Sequence, residues 1–278
     1  VSNTEPWLAA VGDNCIDEIG AKPDEGAGFH PSAHLAGGNA VNVAVQAQIL
    51  GLPSAYFGAV GHDDNGDIIA RELHRNGVDT RFLVRQEKPT SVTQVHVTEN
   101  GERIIALEDF GACAGYRPSE AAFARLLEAT HIHIGWFDDG GALKRRLKAA
   151  GCSLSQDLSV NNAPEHLTHD ALDIAFCSEP GSPQAAETLG KSLLDKGAGL
   201  VVVTRGAEGA SVISPSRSLH LPAEPISPVD TTGAGDSFIA GFLVARLQGA
   251  DDAEAARAGI RRASATCLHE GGFPQRSE

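Results

Sequence analysis

The chain contains no methionine and begins at Val1, so the sequence is expected to be a portion of a longer gene product. It contains no Cys-x-x-Cys pair. Its five cysteines, Cys15, Cys113, Cys152, Cys177 and Cys267, are scattered, which excludes a zinc ribbon and gives no disulfide framework. Free thiols in a reducing cytoplasm are the expectation. No run approaches the ~18 apolar residues of a membrane span, and no basic-then-apolar pattern opens the sequence, so a cytoplasmic chain is expected. Positive charge is scarce: 22 basic against 36 acidic residues give a net charge of −14. Non-specific binding to nucleic acid or to an anionic membrane needs basic patches, so neither partner is expected. A phosphate ligand remains compatible, because backbone amides supply local positive potential. Two nucleotide motifs are missing as well. Gly190-Lys191-Ser192 resembles the end of a P-loop, but Ala185 stands where the first glycine belongs. No Gly-x-Gly-x-x-Gly follows the first strand, which disfavours a dinucleotide-binding dehydrogenase.

What is present is a chain of 278 residues, 42% of them hydrophobic. That is enough for one large domain, here taken as 1–278, or one domain with a small appendage. Apolar runs at residues 7–11, 55–60, 131–134, 153–158, 173–177 and 200–204 read as strands. Helical patterns lie between them at 39–50, 65–76, 143–150 and 183–196, three of them stopped by Gly77, Gly151 and Gly197. Such alternation predicts βαβ units: an α/β fold with a mainly parallel, doubly wound sheet and helices on both faces. Two stretches break the rhythm. Residues 17–35 are loop-like, with Pro23, Gly26, Gly28 and Pro31, and residues 90–107 alternate around the turn Glu99-Asn100-Gly101-Glu102, a hairpin signal. They suggest an added antiparallel piece, serving either as a lid over the strand ends or as an ordinary edge hairpin.

Three constellations carry chemistry. Pro228-Val229-Asp230-Thr231-Thr232-Gly233-Ala234-Gly235-Asp236 precedes an apolar helical pattern. Free amides at such a helix start bind anions, and the glycines admit a phosphate closely. Asp236 in the first turn is either a general base placed beside that phosphate or an ordinary N-terminal helix carboxylate. The second is Ala36-Gly37-Gly38-Asn39-Ala40-Val41-Asn42, where Asn39 and Asn42, three apart, share a helix side. Their amides suit hydroxyl ligands, while Asn39 alone reads more readily as an N-cap. The third is Gly12-Asp13-Asn14-Cys15-Ile16-Asp17, directly after the first strand. Asp13, Asn14 and Asp17 there would suit a polyhydroxylated substrate or form a plain turn. Around these, His131 and His133 alternate on a strand and read as core or interface histidines rather than a metal pair. Lys144-Arg145-Arg146 reads as a solvated helix face. Trp136 and Phe137 fit substrate stacking or core packing, and Arg103 fits a substrate carboxylate or an exposed hairpin position.

Taken together, Gly37-Gly38-Asn39-Ala40-Val41-Asn42-Val43-Ala44, with Gly51 and Gly61 downstream, and Asp230 to Asp236 resemble the paired motifs of the ribokinase-like, or PfkB, family of carbohydrate kinases. Val201-Val202-Val203-Thr204-Arg205-Gly206-Ala207-Glu208-Gly209 fits between them. The resemblance spans essentially the whole chain. It implies a ribokinase-like fold with a small β lid from about 17–35 and 90–107, and ATP-dependent phosphorylation of a primary sugar hydroxyl. Asp236 would be the base, and the amides of Gly233, Ala234 and Gly235 the anion hole. Thr204, Gly206, Gly209, Ser178 and Gly233 would face ATP. Asp13, Asn14, Asp17, Gly37, Gly38, Asn42 and Arg103 would face the sugar. Within the family the likeness is to members acting on fructosamines, carried by Gly12–Asp17, Asp173-Ile174-Ala175-Phe176-Cys177-Ser178 and Asp236-Ser237-Phe238-Ile239-Ala240-Gly241-Phe242. Ribokinase, fructokinase, ketodeoxygluconate-type and catalytically silent binding proteins are the alternatives. The resemblance also implies Mg2+, a monovalent cation such as K+ beside Asp230 and Thr232, and a homodimer through the lid. One departure touches the magnesium site: Ser178 and Gly181 stand where many relatives carry Asn-x-x-Glu. Glu179 and Glu187 are candidate substitutes, and Asp157 a candidate partner through water.

Overall fold

Apolar runs without alternation form the centre of the molecule. Leu8, Ala9, Ala10 and Val11 are all fully buried, as a strand must be when helices cover both faces of its sheet. The structure, a computed structural model, describes residues 5–24, 27–98 and 103–275. In chain order its elements begin β1 Leu8–Val11, β2 Cys15–Ala21, β3 Ala33–Gly37, α1 Asn39–Ile49, β4 Ser54–Gly61, α2 Asp64–Arg75 and β5 Asp79–Gln86. They continue with β6 Val92–Val97, β7 Arg103–Asp109, α3 Glu120–Leu126, β8 His131–Ile134, α4 Ala142–Ala149 and β9 Leu154–Asp157. The last are β10 Ile174–Ser178, α5 Pro183–Asp195, β11 Leu200–Thr204, β12 Ala210–Ile213, β13 Ser218–Leu221, α6 Ala234–Leu247 and α7 Asp252–Thr266.

The large sheet has the order β13-β12-β11-β10-β9-β8-β1-β4-β5. Its strands from β11 to β5 are parallel, and β12 and β13 add an antiparallel edge. One face packs against α3, α4 and α5, through Phe123, Leu126, Leu143, Leu147, Ala186 and Leu193. The other packs against α1, α2, α6 and α7, for example through Val43, Ile69, Phe242 and Ala256. The doubly wound α/β arrangement therefore follows the alternation of apolar runs and helical patterns.

A second sheet, β3-β2-β6-β7, stands apart from the first. Part of the stretch that reads as loop, residues 17–35, is strand here: β2 and β3 pair antiparallel, leaving Pro23 and Gly28 in the connection. The sheet is mixed rather than antiparallel, because β2 lies parallel to β6. β6 and β7 pair antiparallel with Val97 opposite Arg103. The turn expected at Glu99-Asn100-Gly101-Glu102 lies outside the described residues.

Helix caps divide into two kinds. Asp63, Ser119, Ser182 and Asp251 cap α2, α3, α5 and α7 with side-chain oxygens, which satisfies amides that a helix start leaves open. Helices α1, α4 and α6 instead start after Gly38, Gly141 and Gly233, with no side-chain cap. Two of these uncapped ends, α1 and α6, border the cavities described below. Gly190, in the apparent P-loop fragment, lies inside α5, where a Cβ would sit 2.8 Å from Ile213; it packs a helix on a strand and cradles nothing.

One charge in the 144–146 run is not solvated. Lys144 is 2% exposed; its Nζ donates to Gln156 Oε1 at 2.7 Å and to the Thr168 carbonyl, and burial lowers its pKa to about 8. Arg145 and Arg146 are exposed. Helix periodicity turns one of three adjacent residues inward, and a charge run cannot show which. Lys144→Ala leaves two buried acceptors unpaired and should lower unfolding free energy by ~2 kcal/mol in a denaturant titration. Arg145→Ala should change it by no more than ~0.5 kcal/mol.

Candidate active site

Strand order reverses at β1, which lies between β4 and β8. In open α/β sheets such a reversal leaves a crevice at the carboxyl ends of the strands. The backbones there come close: a Cβ on Gly12 (φ +140°) would lie 2.7 Å from the Trp136 carbonyl. Into this crevice Asp13 points its carboxylate, accepting from Trp136 N (3.0 Å), Asn39 N (2.8 Å) and Ala40 N (3.4 Å). Asp13 thus caps α1 from another element, supplying what Gly38 lacks. Burial nonetheless raises its pKa, against those amide hydrogen bonds.

Asn39 follows neither of its two simple readings. Gly38 occupies the cap position, and Asn39 is the first helical residue. Its Nδ2 donates to Asp157 Oδ2 (2.8 Å), at the end of β9, and to Asp236 Oδ1 (2.7 Å), in the first turn of α6. One helical turn on, Asn42 Nδ2 donates to Asp236 Oδ2 at 2.6 Å. Burial pushes the Asp236 carboxyl up to about 8, and the nearby charges of Asp157 and Asp13 add to it, while the two asparagines oppose the shift. Asp157, also raised first by burial, sits at about 6.

The residues before α6 are held by backbone contacts. Asp230, 3% exposed, accepts from Thr232 N and Gly271 N, both at 2.9 Å. It thereby clamps the loop to segment 267–273. A Cβ on Gly233 (φ +70°) would lie 2.4 Å from Gly272 Cα, and one on Gly272 would lie 2.4 Å from Asn42 Oδ1. Of the expected anion-hole amides, Ala234 N donates to the Thr231 carbonyl at 3.2 Å. Among the described hydrogen bonds, Gly235 N and Asp236 N donate to nothing, and a Cβ on Gly235 would meet open space.

This loop separates two cavities. The larger, about 570 Å3, is bordered by Ser178, Thr204, Gly206, Gly209, Ala234 and Gly235. Segment 223–228 forms its outer wall, a stretch with no sequence signal beyond its prolines. The smaller, about 200 Å3, brings together Asp13, Asn14, Asp17, Gly38, Asn42 and Asp236. Gly37 lies beside it, where a Cβ would come within 2.6 Å of Asp17 Oδ2. Gly233 and Thr232 border the smaller cavity. Asn14 Nδ2 donates to Tyr56 Oη (2.9 Å) and Ala59 O (2.7 Å), while Asn14 Oδ1 and Asn42 Oδ1 are buried acceptors without a partner among the described residues.

Residues missed in the sequence are Glu108, Asp109 and Phe110, which border the smaller cavity from the end of β7, and Gly271 and Gly272. The acidic pair closing an alternating strand was a readable signal; nothing local marked the two glycines. The side chain of Arg103, at the other end of β7, lies outside the described residues. Trp136 stacks on Phe110 at 4.0 Å and borders neither cavity, and Phe137 is core. Glu187 does not serve the larger cavity: it pairs with Lys191 at 2.6 Å on the side of α5. Glu179 Oε1 accepts from Gly181 N at 3.0 Å. Among the described residues, no three His, Cys, Asp or Glu side chains converge as a metal cage, and no helix is long and apolar enough to cross a membrane.

A family described as "pfkB family carbohydrate kinase" matches residues 8–140 and 155–275. Fructoselysine 6-kinase of Escherichia coli is 32% identical over 270 residues, 96% of this chain and 99% of that protein. A fructosamine kinase of Bacillus subtilis is 30% identical, over 98% of this chain and 95% of its own. Among solved structures, Arabidopsis thaliana ribokinase complexed with ribose and ATP superposes with a TM-score of 0.84 at 25% identity, covering 96% of this chain and 94% of its own.

The two loop glycines should respond differently to a methyl group. Gly233→Ala meets both positive φ and the Gly272 backbone and should lower unfolding free energy by ~1–3 kcal/mol or more. Gly235→Ala has room and should melt within ~2 °C of the parent in calorimetry, since a change of ~0.5 kcal/mol moves a domain of this size about that far.

Proposed function

The chain belongs to the pfkB family of carbohydrate kinases and is an ATP-dependent sugar kinase, a phosphotransferase with an alcohol acceptor, and from that premise we propose that it phosphorylates a primary hydroxyl of a fructosamine. One observation carries the choice of acceptor. Among the described residues, which leave out the side chain of Arg103, five carboxylates, Asp13, Asp17, Glu108, Asp109 and Asp236, border the smaller cavity, and no lysine, arginine or histidine does. A neutral sugar needs hydrogen-bond partners there; a protonated amine joined to the sugar also needs compensating negative charge. The relatives named for fructoselysine and fructosamine point the same way. A neutral sugar such as ribose is the second reading, favoured by the likeness to the ribose-bound ribokinase.

In this reading ATP lies in the larger cavity, beside Thr204, Gly206 and Gly209, and its γ-phosphoryl group meets the uncapped start of α6. The open amides of Gly235 and Asp236, aided by the helix dipole, stabilise the negative charge that develops there. Asp236 accepts the proton of the attacking hydroxyl. A bond forms between that oxygen and phosphorus, the bond from phosphorus to the β–γ bridging oxygen breaks, and the proton on Asp236 passes to solvent. Asn39 and Asn42 aim both carboxylate oxygens. Magnesium fits as an ion delivered with the nucleotide phosphates and keeping most of its water. Asp157, at the border of the larger cavity, would face it through water, and its chemistry would be neutralisation of phosphate charge. A monovalent cation beside Asp230 and Thr232 would act on the loop conformation, since Asp230 clamps that loop. The small sheet is the lid, and its edge strand β7 leaves Ile104, Ile105 and Leu107 exposed, a surface a second copy would cover.

The test is ADP release across a panel of fructosamines and neutral sugars. Fructosamines should give the highest kcat/KM; equal or better turnover of neutral sugars would select the second reading. Because the base works deprotonated and its pKa is raised to about 8, kcat/KM should rise with pH and level off above about 8. A flat profile from pH 6 to 9 would contradict the assignment. Asp236→Asn should bind ATP normally and lose at least ~100-fold in kcat.

A further inference from the structure

Behind Asn39 runs a line of buried polar side chains that the phosphoryl-transfer chemistry does not use. His131 and His133, 3% and 0% exposed, project from β8 to either side of Ser155 on β9. Ser155 Oγ lies 2.8 Å from His131 Nε2 and 2.9 Å from His133 Nδ1. Ser153 Oγ lies 2.8 Å from His131 Nδ1, and His133 Nε2 lies 3.2 Å from Asn39 Oδ1. The line thus connects Ser153, His131, Ser155, His133 and Asn39, and ends on Asp157 and Asp236.

Its hydrogen-bond directions can be assigned from the catalytic end. Both carboxylates accept, so Asn39 must present its NH2 to them and its Oδ1 to His133. His133 must then donate from Nε2, which leaves Nδ1 to accept from the Ser155 hydroxyl. Ser155 in turn accepts from His131 Nε2, whose Nδ1 accepts from Ser153. Each group fills its role with no donor facing a donor, provided both imidazoles are neutral. Burial supports that, holding His131 down to about 4 and His133 to about 3. We propose that His133, set in the Nε2–H tautomer through Ser155 and His131, is a positioning residue that locks the Asn39 amide with its NH2 toward Asp157 and Asp236. Without the lock, Asn39 can turn its carbonyl to the carboxyls, which favours their protonated forms and removes one hydrogen bond that keeps Asp236 a carboxylate. A chain aligned in one direction also polarises each bond in it.

The inference rests on Asp236 being the base. The charged groups facing Asp236 are Asp13 from the loop after β1, Asp157 from β9, and Asp17, Glu108 and Asp109 across the smaller cavity. Among the described residues no basic side chain borders the cavity, and the hydrogen bonds from Asn42 and Asn39 are what oppose the upward shift of Asp236. Facing His133 are His131, the Phe176 ring at 6.0 Å, edge to face, and Asn39.

The test compares His133→Phe, which keeps the aromatic contact with Phe176 and removes the donor, with His133→Gln, which keeps an N–H close to the Nε2 position. In His133→Phe the acid limb of the kcat/KM profile should move up by about one pH unit. That lowers kcat/KM about tenfold at pH 7 and leaves it near the parent value at high pH. In His133→Gln the limb should return to the parent position. A limb unmoved in His133→Phe, or a Gln variant no better than Phe, overturns the proposal. The imidazole 13C and 15N shifts of the unsubstituted protein provide a test independent of turnover. Both histidines should show the Nε2–H tautomer, unchanged from pH 8 to pH 5.5, and an Nδ1–H or titrating His133 overturns the lock whatever the variants do. Asp236→Asn separates the two ideas: if it retains turnover, the base assignment fails, while the tautomer result still judges the line of side chains.

Discussion

Two buried carboxylates, Asp13 and Asp157, and the half-buried Asp236 repel one another and resist ionisation, and Asn39 is what makes their arrangement tenable here. Its backbone amide donates to Asp13, and its side-chain amide donates to Asp157 and Asp236. These acids come from the loop after β1, the end of β9 and the start of α6, so a single residue ties the switch point of the sheet to the helix start between the two cavities. Like charges sharing a site raise one another's pKa, and Asp236 at about 8 carries that effect on top of its burial. The same repulsion makes Asp236 a better proton acceptor.

Close backbone approach is the other condition. Gly12, Gly38, Gly233 and Gly272 each leave a space that a Cβ would close against backbone or a site asparagine. They let the loop after β1, the start of α1, the start of α6 and segment 267–273 converge on one point. The start of α6 becomes a thin wall between two cavities, with Ala234 and Gly235 on one side and Gly233 and Asp236 on the other. In the proposed reading, a phosphoryl group crossing from nucleotide to hydroxyl has only that wall to pass, and its open amides lie along the way. Such convergence places the reacting groups before the substrates arrive, which is where much of a kinase's rate enhancement originates.

Much of this was legible in the sequence, for physical reasons. Fully buried parallel strands leave unbroken apolar runs, so β1, β8, β10 and β11 stood out, and glycines just past helix ends marked α2, α4 and α5. Helix α7 was not among the helices read from the sequence: its capping box of Asp251 and Glu254 precedes an alanine-rich pattern that lacks a strong apolar stripe. β2 and β3 hid behind the prolines and glycines of their connection, and β5, β12 and β13 are edge or near-edge strands with weaker patterns. Asn39 was harder. Whether an asparagine at a helix start caps its own amides or reaches elsewhere depends on its partners, and these lie 118 and 197 residues away. Lys144 posed the same difficulty, since its acceptors belong to β9 and the loop at Thr168. His131 and His133 were read as core or interface histidines and are buried in the sheet, but their use as an aligned line depends on Ser153 and Ser155 of the next strand.

With its pKa raised to about 8, the Asp236 carboxyl is a carboxylate only part of the time at neutral pH. The most direct measurement is the ionisation of Asp236 itself, followed as the carboxyl 13C resonance that vanishes in Asp236→Asn, in protein without substrate. The account predicts a midpoint near 8; a midpoint near 4, the ordinary aspartate value, would contradict it.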